Sequence, residues 1–253
     1  MPNLLNKTQI KSQLNLQNIH ADIFDEINST NEFLKNKQKS AQIQVCIAEM
    51  QTEGRGRLQR EWYSPFGENI YLSLRCTIDK KFSELGGLSI ITGLSICEIL
   101  KNIPNVMLKW PNDVYVDGKK IAGCLIELQN EVQASSDIII GLGLNVNMDH
   151  ADLDQVWASI KTITGKTADR NGLIIELINE LIKNISIFEA QGLVPFLEFH
   201  QAHDYLLNKT VNLSIGNKKY QGVAKGLNAA GHLGLLIDNQ LQYFSSGEAS
   251  LRA

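Results

Sequence analysis

Apolar side chains occupy every second position over residues 70–78, and this alternation limits the fold more than any other feature of the sequence. A period of two is the spacing of a β-strand with one buried face. From Ser83 to Lys101 the apolar positions instead follow one face of a helix. Together the two patterns predict an α+β fold.

Similar patterns predict the other elements of the N-terminal part. Ser29 and Glu32 have the spacing of a capping box, so a short helix should begin at Ser29–Thr30 and run towards Lys37. A long helix is expected over about Gly172–Ala190. Further strands are expected over Ile43–Glu49, Val106–Trp110, Lys119–Leu128 and Asp137–Val146.

After Pro195 the pattern changes to short strands separated by turn residues. Strands are predicted over Thr210–Ile215, Lys218–Leu227, Leu233–Ile237 and Leu241–Phe244. About five short strands in about 45 residues predict a small antiparallel barrel. The boundary should lie near Ala202–Asn208, which divides the chain into domains 1–204 and 205–253.

Composition excludes some classes of partner. Hydrophobic residues make up 43% of the chain and charged residues 20%, as in ordinary globular proteins. The formal net charge of -3 provides no overall positive field for nucleic acid or an anionic membrane. Met1 to His20 is polar and unlike a signal peptide, and no apolar run approaches the ~20 residues that span a bilayer. We therefore expect a cytoplasmic protein with no nucleic-acid or membrane partner.

The cysteines and the missing motifs argue against several chemistries. Cys46, Cys76, Cys97 and Cys124 lie among apolar residues with no C-x-x-C pair, so buried, reduced thiols and no protein-bound metal are expected. No H-E-x-x-H, G-x-S-x-G or Cys/His cluster supports zinc hydrolysis or serine acylation. Residues 164–167 look like the end of a P-loop, but Ile160 stands where that motif needs glycine.

The stretch from Gln51 to Trp62 carries the strongest chemical signal. Its glycines and arginines alternate between two predicted strands, without apolar periodicity. Such a backbone is free to take φ > 0, and guanidinium groups bind phosphate or carboxylate with two hydrogen bonds. The stretch suits a mobile loop that closes over an anionic, phosphorylated intermediate. Taken alone, a solvated basic loop would explain it equally well.

Two further stretches carry weaker signals. Between Asp113 and Lys120 the chain is about long enough for a hairpin that brings strand ends together. A lysine near an aspartate and phosphates makes an electrostatic clamp, although a plain salt-bridged hairpin is the alternative. Residues 141–147 place glycines in a strand, which indicates close approach of a ligand or another backbone, or ordinary strand packing.

In order and spacing, these stretches resemble the biotin–protein ligase family. The matching pieces are Ser29-Thr30-Asn31, GRGR at 54–57 with residues 62–67, KWPND at 109–113, KKIAG at 119–123, GLGLNVN at 141–147 and GEASLR at 247–252. The resemblance covers residues 20–253. It implies the α+β catalytic domain of biotin–lipoate ligases, similar to class II aminoacyl-tRNA synthetases, with a mixed sheet, flanking helices and a C-terminal SH3-like β-barrel.

The resemblance also implies a role at each matching position. Biotin-binding residues would be Ser29, Thr30, Asn31, Gln51, Gly54, Arg55, Gly56, Arg57, Lys120, Gly123, Gly141 and Gly143. ATP-binding residues would be Arg57, Arg60, Trp62, Asn112, Lys120 and Asn145. Catalytic residues would be Lys120, Arg55, Arg57 and Asp113. Arg252 would reach from the barrel to the adenylate or the acceptor.

The implied reaction uses ATP and Mg²⁺ to activate biotin as biotinyl-5'-AMP. The biotin then passes to one lysine of an acceptor, the biotin carboxyl carrier protein of acetyl-CoA carboxylase. Fewer than thirty residues precede Ser29, so the DNA-binding domain of some members, and a repressor function, are not expected. A lipoate–protein ligase, a DNA-binding biotin sensor and a degenerate biotin-binding module are the alternatives.

Two further expectations concern assembly and the loop. A homodimer is expected from the resemblance, through edge strands such as Asp137–Val146. Glu53 and Gln59 stand where relatives usually carry a small residue and a glycine. We therefore expect a less flexible loop, with a negative charge beside its arginines, but no loss of activity.

Overall fold

The structure, a computed structural model, describes residues 4–15 and 19–251. Its helices are α1 (Lys7–Asn15), α2 (Thr30–Asn36), α3 (Leu88–Ile99), α4 (Ile160–Thr164), α5 (Arg170–Gln191) and α6 (Leu197–His203). Its strands are β1 (Ile19–Phe24), β2 (Ile43–Ala48), β3 (Ile70–Ile78), β4 (Val106–Lys109), β5 (Asp113–Val116), β6 (Lys119–Val132), β7 (Ser135–Leu144), β8 (Thr210–Ile215), β9 (Lys218–Leu227), β10 (Leu233–Ile237), β11 (Gln240–Phe244) and β12 (Glu248–Leu251).

Strands β1 to β7 form one mixed, seven-stranded sheet in the order β1-β2-β3-β7-β6-β5-β4. β1 runs parallel to β2, and the other neighbours are antiparallel. The prediction that Asp137–Val146 is an edge strand is wrong, because β7 lies between β3 and β6. Its backbone is already paired on both sides and cannot pair with a second copy. The edges of this sheet are β1 and β4.

The alternation in β3 divides the sheet into two faces. Ile70, Leu72 and Leu74 are fully buried in the main core, on the face that α3 and α5 cover. Ser73 and Arg75 point to the opposite face, where they contact α2. The predicted strand is confirmed, and its alternation brings polar side chains to the α2 face.

α2 begins where the sequence predicts, but only half of the capping box forms. The backbone N–H of Glu32 donates to the Ser29 hydroxyl at 3.4 Å, which caps the helix. The Glu32 carboxylate instead accepts hydrogen bonds from Asn36 at 3.1 Å and Arg55 at 3.0 Å. These contacts, with the Asn36 bond as the largest cause, lower the pKa of Glu32.

The chain ahead of residue 20 contributes elements that the sequence patterns did not indicate. Leu5, Ile10 and Leu14 are buried in the main core, and α1 packs on β1 and α5. The backbone N–H of Leu5 donates to Oε1 of the buried Glu49 at 2.5 Å. The described part of the N-terminal segment therefore belongs to the main core.

The C-terminal strands form a five-stranded antiparallel sheet in the order β11-β10-β9-β8-β12. The predicted strands are confirmed, and β12 is the additional one. The small sheet is tied to the end of β4: the N–H of Tyr205 donates to the Leu108 carbonyl at 3.0 Å, and the Trp110 indole to the Gly231 carbonyl at 3.1 Å. The domain boundary at residues 204–205 stays a prediction.

The cysteines are free, as predicted, although Cys76 is only half-buried. Burial raises the pKa of the Cys97 and Cys124 thiols to about 12, so they are protonated and unreactive at neutral pH. Within the described ranges, no helix is both long and apolar enough to cross a membrane.

Candidate active site

A cleft of about 410 Å³ opens on the α2 face of the large sheet. A volume of this size is typical of sites for small molecules. Its wall comes from β7, the first turn of α2, the loop at 51–62, the turn at 109–113 and β12 of the small sheet. Parts of both sheets therefore meet around one space.

Glycines on β7 make room for side chains of the cleft wall. A Cβ at Gly141 would lie 2.2 Å from Oδ1 of Asn31, and a Cβ at Gly143 would lie 2.3 Å from the Trp62 indole. A larger residue at either position would have to displace that neighbour. The groups that approach these glycines are protein side chains and not a second backbone. Contact between the glycines and a ligand stays a prediction.

The first turn of α2 and Gln51 form the polar end of the cleft. Oε1 of Gln51 accepts hydrogen bonds from the backbone N–H and the hydroxyl of Thr30, at 2.9 and 3.0 Å. Nε2 of Gln51 donates to the Ser64 hydroxyl at 3.3 Å. Ser29 and Asn31 lie on the same wall. The structure thus brings together the predicted residues at 29–31 and 51.

Asn31 is oriented by two side chains, one of which the sequence did not indicate. Its Nδ2 donates to Oε2 of Glu127 at 2.5 Å, and its Oδ1 accepts from the Ser73 hydroxyl at 2.5 Å. Ser73 and Gly141 face each other across β3 and β7, directly beneath Asn31. No motif marked Glu127, whose only signal is its place in a strand on the cleft side.

The arginines of the loop at 51–62 contact three different elements. Arg55 pairs with Glu32 of α2 at 3.0 Å. Nη1 of Arg57 donates to Oδ1 of Asn112 at 3.2 Å, in the turn between β4 and β5. Arg60, the third, reaches β12 of the small sheet. The loop is therefore fastened across the mouth of the cleft.

The left-handed backbone of this loop does not occur at its glycines. Leu58 has φ 55° and Gln59 has φ 60°, whereas Gly56 has φ -104°. The loop therefore does take φ > 0, as its sequence allows, but at Leu58 and Gln59 and not at its glycines. Gly54 is required for space instead, since a Cβ there would lie 2.7 Å from the Trp62 carbonyl oxygen. Left-handed, non-glycine residues at the tip carry backbone strain.

Lys120 and Asp113 form the charged centre of the cleft. Their side chains meet across the β5–β6 hairpin, with Nζ 2.9 Å from Oδ1, which confirms the predicted hairpin. Nζ of Lys120 also lies 5.3 Å from the ring centroid of Trp62, a cation–π distance. Among the described residues, the buried Nε1 of Trp62 has no hydrogen-bond partner. The indole N–H is thus a donor that is available to a ligand.

Comparison with known proteins decides the family. Residues 23–145 match the biotin/lipoate A/B protein ligase family, and residues 206–252 match the biotin protein ligase C terminal domain. The bifunctional ligase/repressor BirA of Escherichia coli is 36% identical over 256 residues, which cover 99% of this chain and 79% of that protein. The chain belongs to the biotin/lipoate A/B protein ligase family.

Other members of this ligase family agree in sequence and in structure. The biotin–[acetyl-CoA-carboxylase] ligase of Mycobacterium tuberculosis is 29% identical over 238 residues, covering 90% of this chain and 87% of that protein. The biotin protein ligase of Aquifex aeolicus, solved in complex with biotin and ATP, superposes with a TM-score of 0.79 at 30% identity. The match covers 92% of this chain and 98% of that chain. The predicted family and fold class are confirmed.

Some residues expected at the ligase's site do not line the cleft. Asn145 is buried, with its Nδ2 bonded to the Ala158 carbonyl at 3.0 Å, so it braces the segment after β7. Gly54 lies behind the wall, against Trp62. Arg252 lies outside the described residues. Their roles in ligand binding stay predictions.

Other cleft residues of the ligase had no role in the sequence prediction. Lys109 and Tyr115 lie in or beside the KWPND motif, with Nζ of Lys109 3.3 Å from the Tyr115 hydroxyl. Alternation in β5 could have indicated Tyr115, which points to the same side as Asp113. Gln155, whose Nε2 is 3.4 Å from the same hydroxyl, comes from an irregular loop and left no signal in the sequence.

Proposed function

We propose that this chain is a biotin–protein ligase, which forms biotinyl-5'-AMP from biotin and ATP and transfers the biotin to a lysine of a biotin carboxyl carrier protein. The observation that carries this proposal is the ring of cationic side chains, Arg55, Arg57 and Lys120, around a cleft in a chain of this family. Such a ring suits a carboxylate and a triphosphate held side by side.

In the first half-reaction, a carboxylate oxygen of biotin attacks the α-phosphorus of ATP. The bond from the α-phosphorus to the bridging oxygen breaks, and pyrophosphate leaves. Both reactants are anions, so they repel each other unless positive charge is shared between them. Lys120 and Arg57 supply that charge and hold the reactants in line, and the chemistry needs no covalent enzyme intermediate.

In the second half-reaction, the acceptor lysine amine attacks the acyl carbon of the mixed anhydride, and AMP leaves. Removing the proton from a lysine of pKa ≈ 10.4 costs roughly 4–5 kcal/mol at pH 7. Asp113 is the best-placed carboxylate to orient the amine or accept its proton, because it lies on the cleft wall beside Lys120, whose Nζ is 2.9 Å from its Oδ1. Release of the anhydride's AMP then completes the transfer.

The residues present fit Mg²⁺ as a partner of the nucleotide. The described residues contain no group of three His, Cys, Asp or Glu side chains placed to hold a metal. Mg²⁺ in nucleotide sites is usually held by phosphates, water and one or two carboxylates, so no such group is needed. Asp113 and Glu248 are carboxylates of the cleft wall that could serve. The ion would share the charge of the phosphates.

ATP–pyrophosphate exchange in the purified protein with Mg²⁺ tests the proposal, with biotin, lipoate or no acid added. Exchange that depends on biotin alone supports it. Exchange with lipoate alone would move the chain to the lipoate ligases, the nearest alternative. Folded protein without exchange with either acid would leave a binding module, and Glu53 and Gln59 would be the first residues to replace.

The remaining partners are part of the proposal. We expect transfer of labelled biotin to a purified carrier domain but not to the same domain with its acceptor lysine replaced by arginine. A homodimer, a cytoplasmic location and the absence of DNA binding and repressor function are also proposed. Sedimentation with and without biotin and ATP tests the dimer, and a gel mobility shift with operator-type DNA tests the absence of DNA binding.

A further inference from the structure

Both ends of α2 are attached to strand β3. Ser73 and Arg75, two positions apart on one face of the strand, hold the start and the end of the helix respectively. Ser73 reaches Oδ1 of Asn31 at 2.5 Å and the hydroxyl of Thr30 at 2.7 Å. These are the residues at the polar end of the cleft.

Arg75 closes the other end of the helix. Its Nη1 donates to the carbonyls of Leu34 and Lys37, each at 2.8 Å. The last carbonyls of a helix have no partners within it, and positive charge is favourable there. One buried guanidinium therefore provides hydrogen-bond donors for carbonyls at the C-terminus of α2 and interacts favourably with the negative end of the helix dipole.

Asp137 of β7 fixes the orientation of that guanidinium. Its carboxylate accepts from Nε and Nη2 of Arg75 at 3.1 and 2.8 Å, a two-pronged ion pair with both side chains buried. Lys39 lies 3.6 Å from the same carboxylate and partly balances its charge. Because the guanidinium is planar, pairing of Nε and Nη2 with Asp137 also fixes the direction in which Nη1 points towards the helix.

Helix α2 is too short to be stable by itself, so its position depends on the residues that bind it. α2 has 7 residues, and isolated helices of this length do not persist in water. Its position along its axis must come from what binds its ends. A shift of about 1 Å would break the 2.9 Å bond between Thr30 and Gln51 and move Asn31 off Gly141.

We propose that Arg75, held by Asp137, is a positioning residue for the acid substrate: it sets the place of α2, and through α2 the biotin end of the cleft. This inference rests on the proposed function. Within the described ranges, Arg75 makes its hydrogen bonds and ion pair with Leu34, Lys37 and Asp137 and with no residue of the nucleotide end, so its loss should weaken binding of the acid alone. Binding that is lost equally from the ground state and the transition state raises KM and leaves kcat unchanged.

The test uses the full chain with Arg75→Met, Arg75→Lys and the double variant Arg75→Met/Asp137→Leu. The double variant leaves no unpaired carboxylate buried, so it keeps the proposal testable if Arg75→Met does not fold. Leu181→Ala is the matched control, because it weakens the core on the opposite face of the sheet. Exchange kinetics give KM for biotin, KM for ATP and kcat, and calorimetry gives the Kd of biotin.

Arg75→Met and the double variant should raise KM and Kd for biotin roughly tenfold, with KM for ATP and kcat within about twofold of wild type. Arg75→Lys keeps the positive charge but not the planar fork, so its KM and Kd for biotin should lie between those of wild type and those of Arg75→Met. Leu181→Ala should lower Tm without changing KM for biotin. If the Arg75 variants lower Tm and leave KM for biotin at the wild-type value, Arg75 is only structural and the inference fails. Wild-type protein without biotin-dependent exchange would instead overturn the proposed function.

Discussion

Arg60 and Glu248 pair at 2.8 Å although 188 positions separate them in the chain. The pair joins the loop over the cleft to β12 of the small sheet, and both residues line the cleft mouth. The small sheet thereby helps to close the cleft. Because both side chains are exposed to solvent, the pair itself adds little to the stability of the fold.

Breaking this pair should speed release of the adenylate more than it destabilises the protein. An exposed pair is worth about 0.2–1 kcal/mol, which corresponds to at most roughly fivefold in a release rate. We expect Glu248→Gln to raise the dissociation rate of biotinyl-5'-AMP by up to that factor, with Tm almost unchanged. Glu248→Asp keeps the charge and should release the adenylate more slowly than Glu248→Gln, and equal rates in the two variants would contradict a role for the ion pair.

Replacing Lys120 should abolish activation without unfolding the protein. Lys120→Ala removes the positive charge nearest Asp113 and Trp62, so exchange should fall roughly 10²–10³-fold. Lys119→Ala, one position earlier with an exposed side chain, is the matched control and should exchange normally. Near-normal exchange in Lys120→Ala, measured beside a Tm for each variant, would remove Lys120 from the mechanism.

Replacing Arg57 should release the adenylate before transfer. Arg57→Gly loses the bond to Asn112 that fastens the loop at 3.2 Å, and with it a positive charge. We expect free biotinyl-5'-AMP in solution, separated by chromatography after a single turnover, and biotin on lysines of unrelated proteins. Arg57→Lys keeps the charge and should leak less. If the glycine variant holds its adenylate as tightly as wild type, the loop is not a lid.

Adding one carbon at Gly143 should displace Trp62. A Cβ would meet the indole at 2.3 Å, and overpacking of this kind costs about 1–3 kcal/mol. We expect Gly143→Ala to change the intrinsic fluorescence and to raise KM for ATP, since Trp62 is expected at the nucleotide. Ser135→Ala, at the other end of the same strand, should do neither. Wild-type KM values in Gly143→Ala would show that Trp62 can move without consequence.

Acid should destabilise the junction between the two sheets through His200. This histidine is fully buried, and burial lowers its pKa from 6.5 to about 4. The folded state therefore binds the proton more weakly than the unfolded state, so stability is lost as pH falls from 6.5 towards 4. Burial raises the pKa of Asp204, so the folded state binds this proton more tightly than the unfolded state. The contribution of Asp204 to stability therefore grows as the pH falls.

The size of this effect can be measured by urea unfolding at pH 7 and pH 4.5. The histidine should account for about 2–3 kcal/mol of the loss in unfolding free energy. His200→Gln should therefore lose less stability than wild type over this interval, by that amount. Parallel losses in the two proteins would mean that His200 does not titrate as its burial implies.

Periodicity and motifs in the sequence were sufficient for most elements and for the family. The alternation at 70–78 is a local property of the chain, because one buried face requires a period of two wherever the strand lies. The hairpin that joins Asp113 to Lys120 is equally local, since a short turn places its two strands side by side wherever the hairpin lies in the sheet. The motifs at 29–31, 54–57 and 141–143 are short and local too, and they predicted much of the cleft wall.

Only the tertiary structure decided which distant residues meet. Glu127 beneath Asn31, Arg75 at the end of α2 and Glu248 against Arg60 are contacts between separate elements, and no spacing in the sequence encodes them. Strand order is also non-local: an apolar run such as β7 fits a central or an edge strand until its neighbours are known. The reason is physical, because these contacts depend on how the sheet orders its strands and not on the chain near each residue.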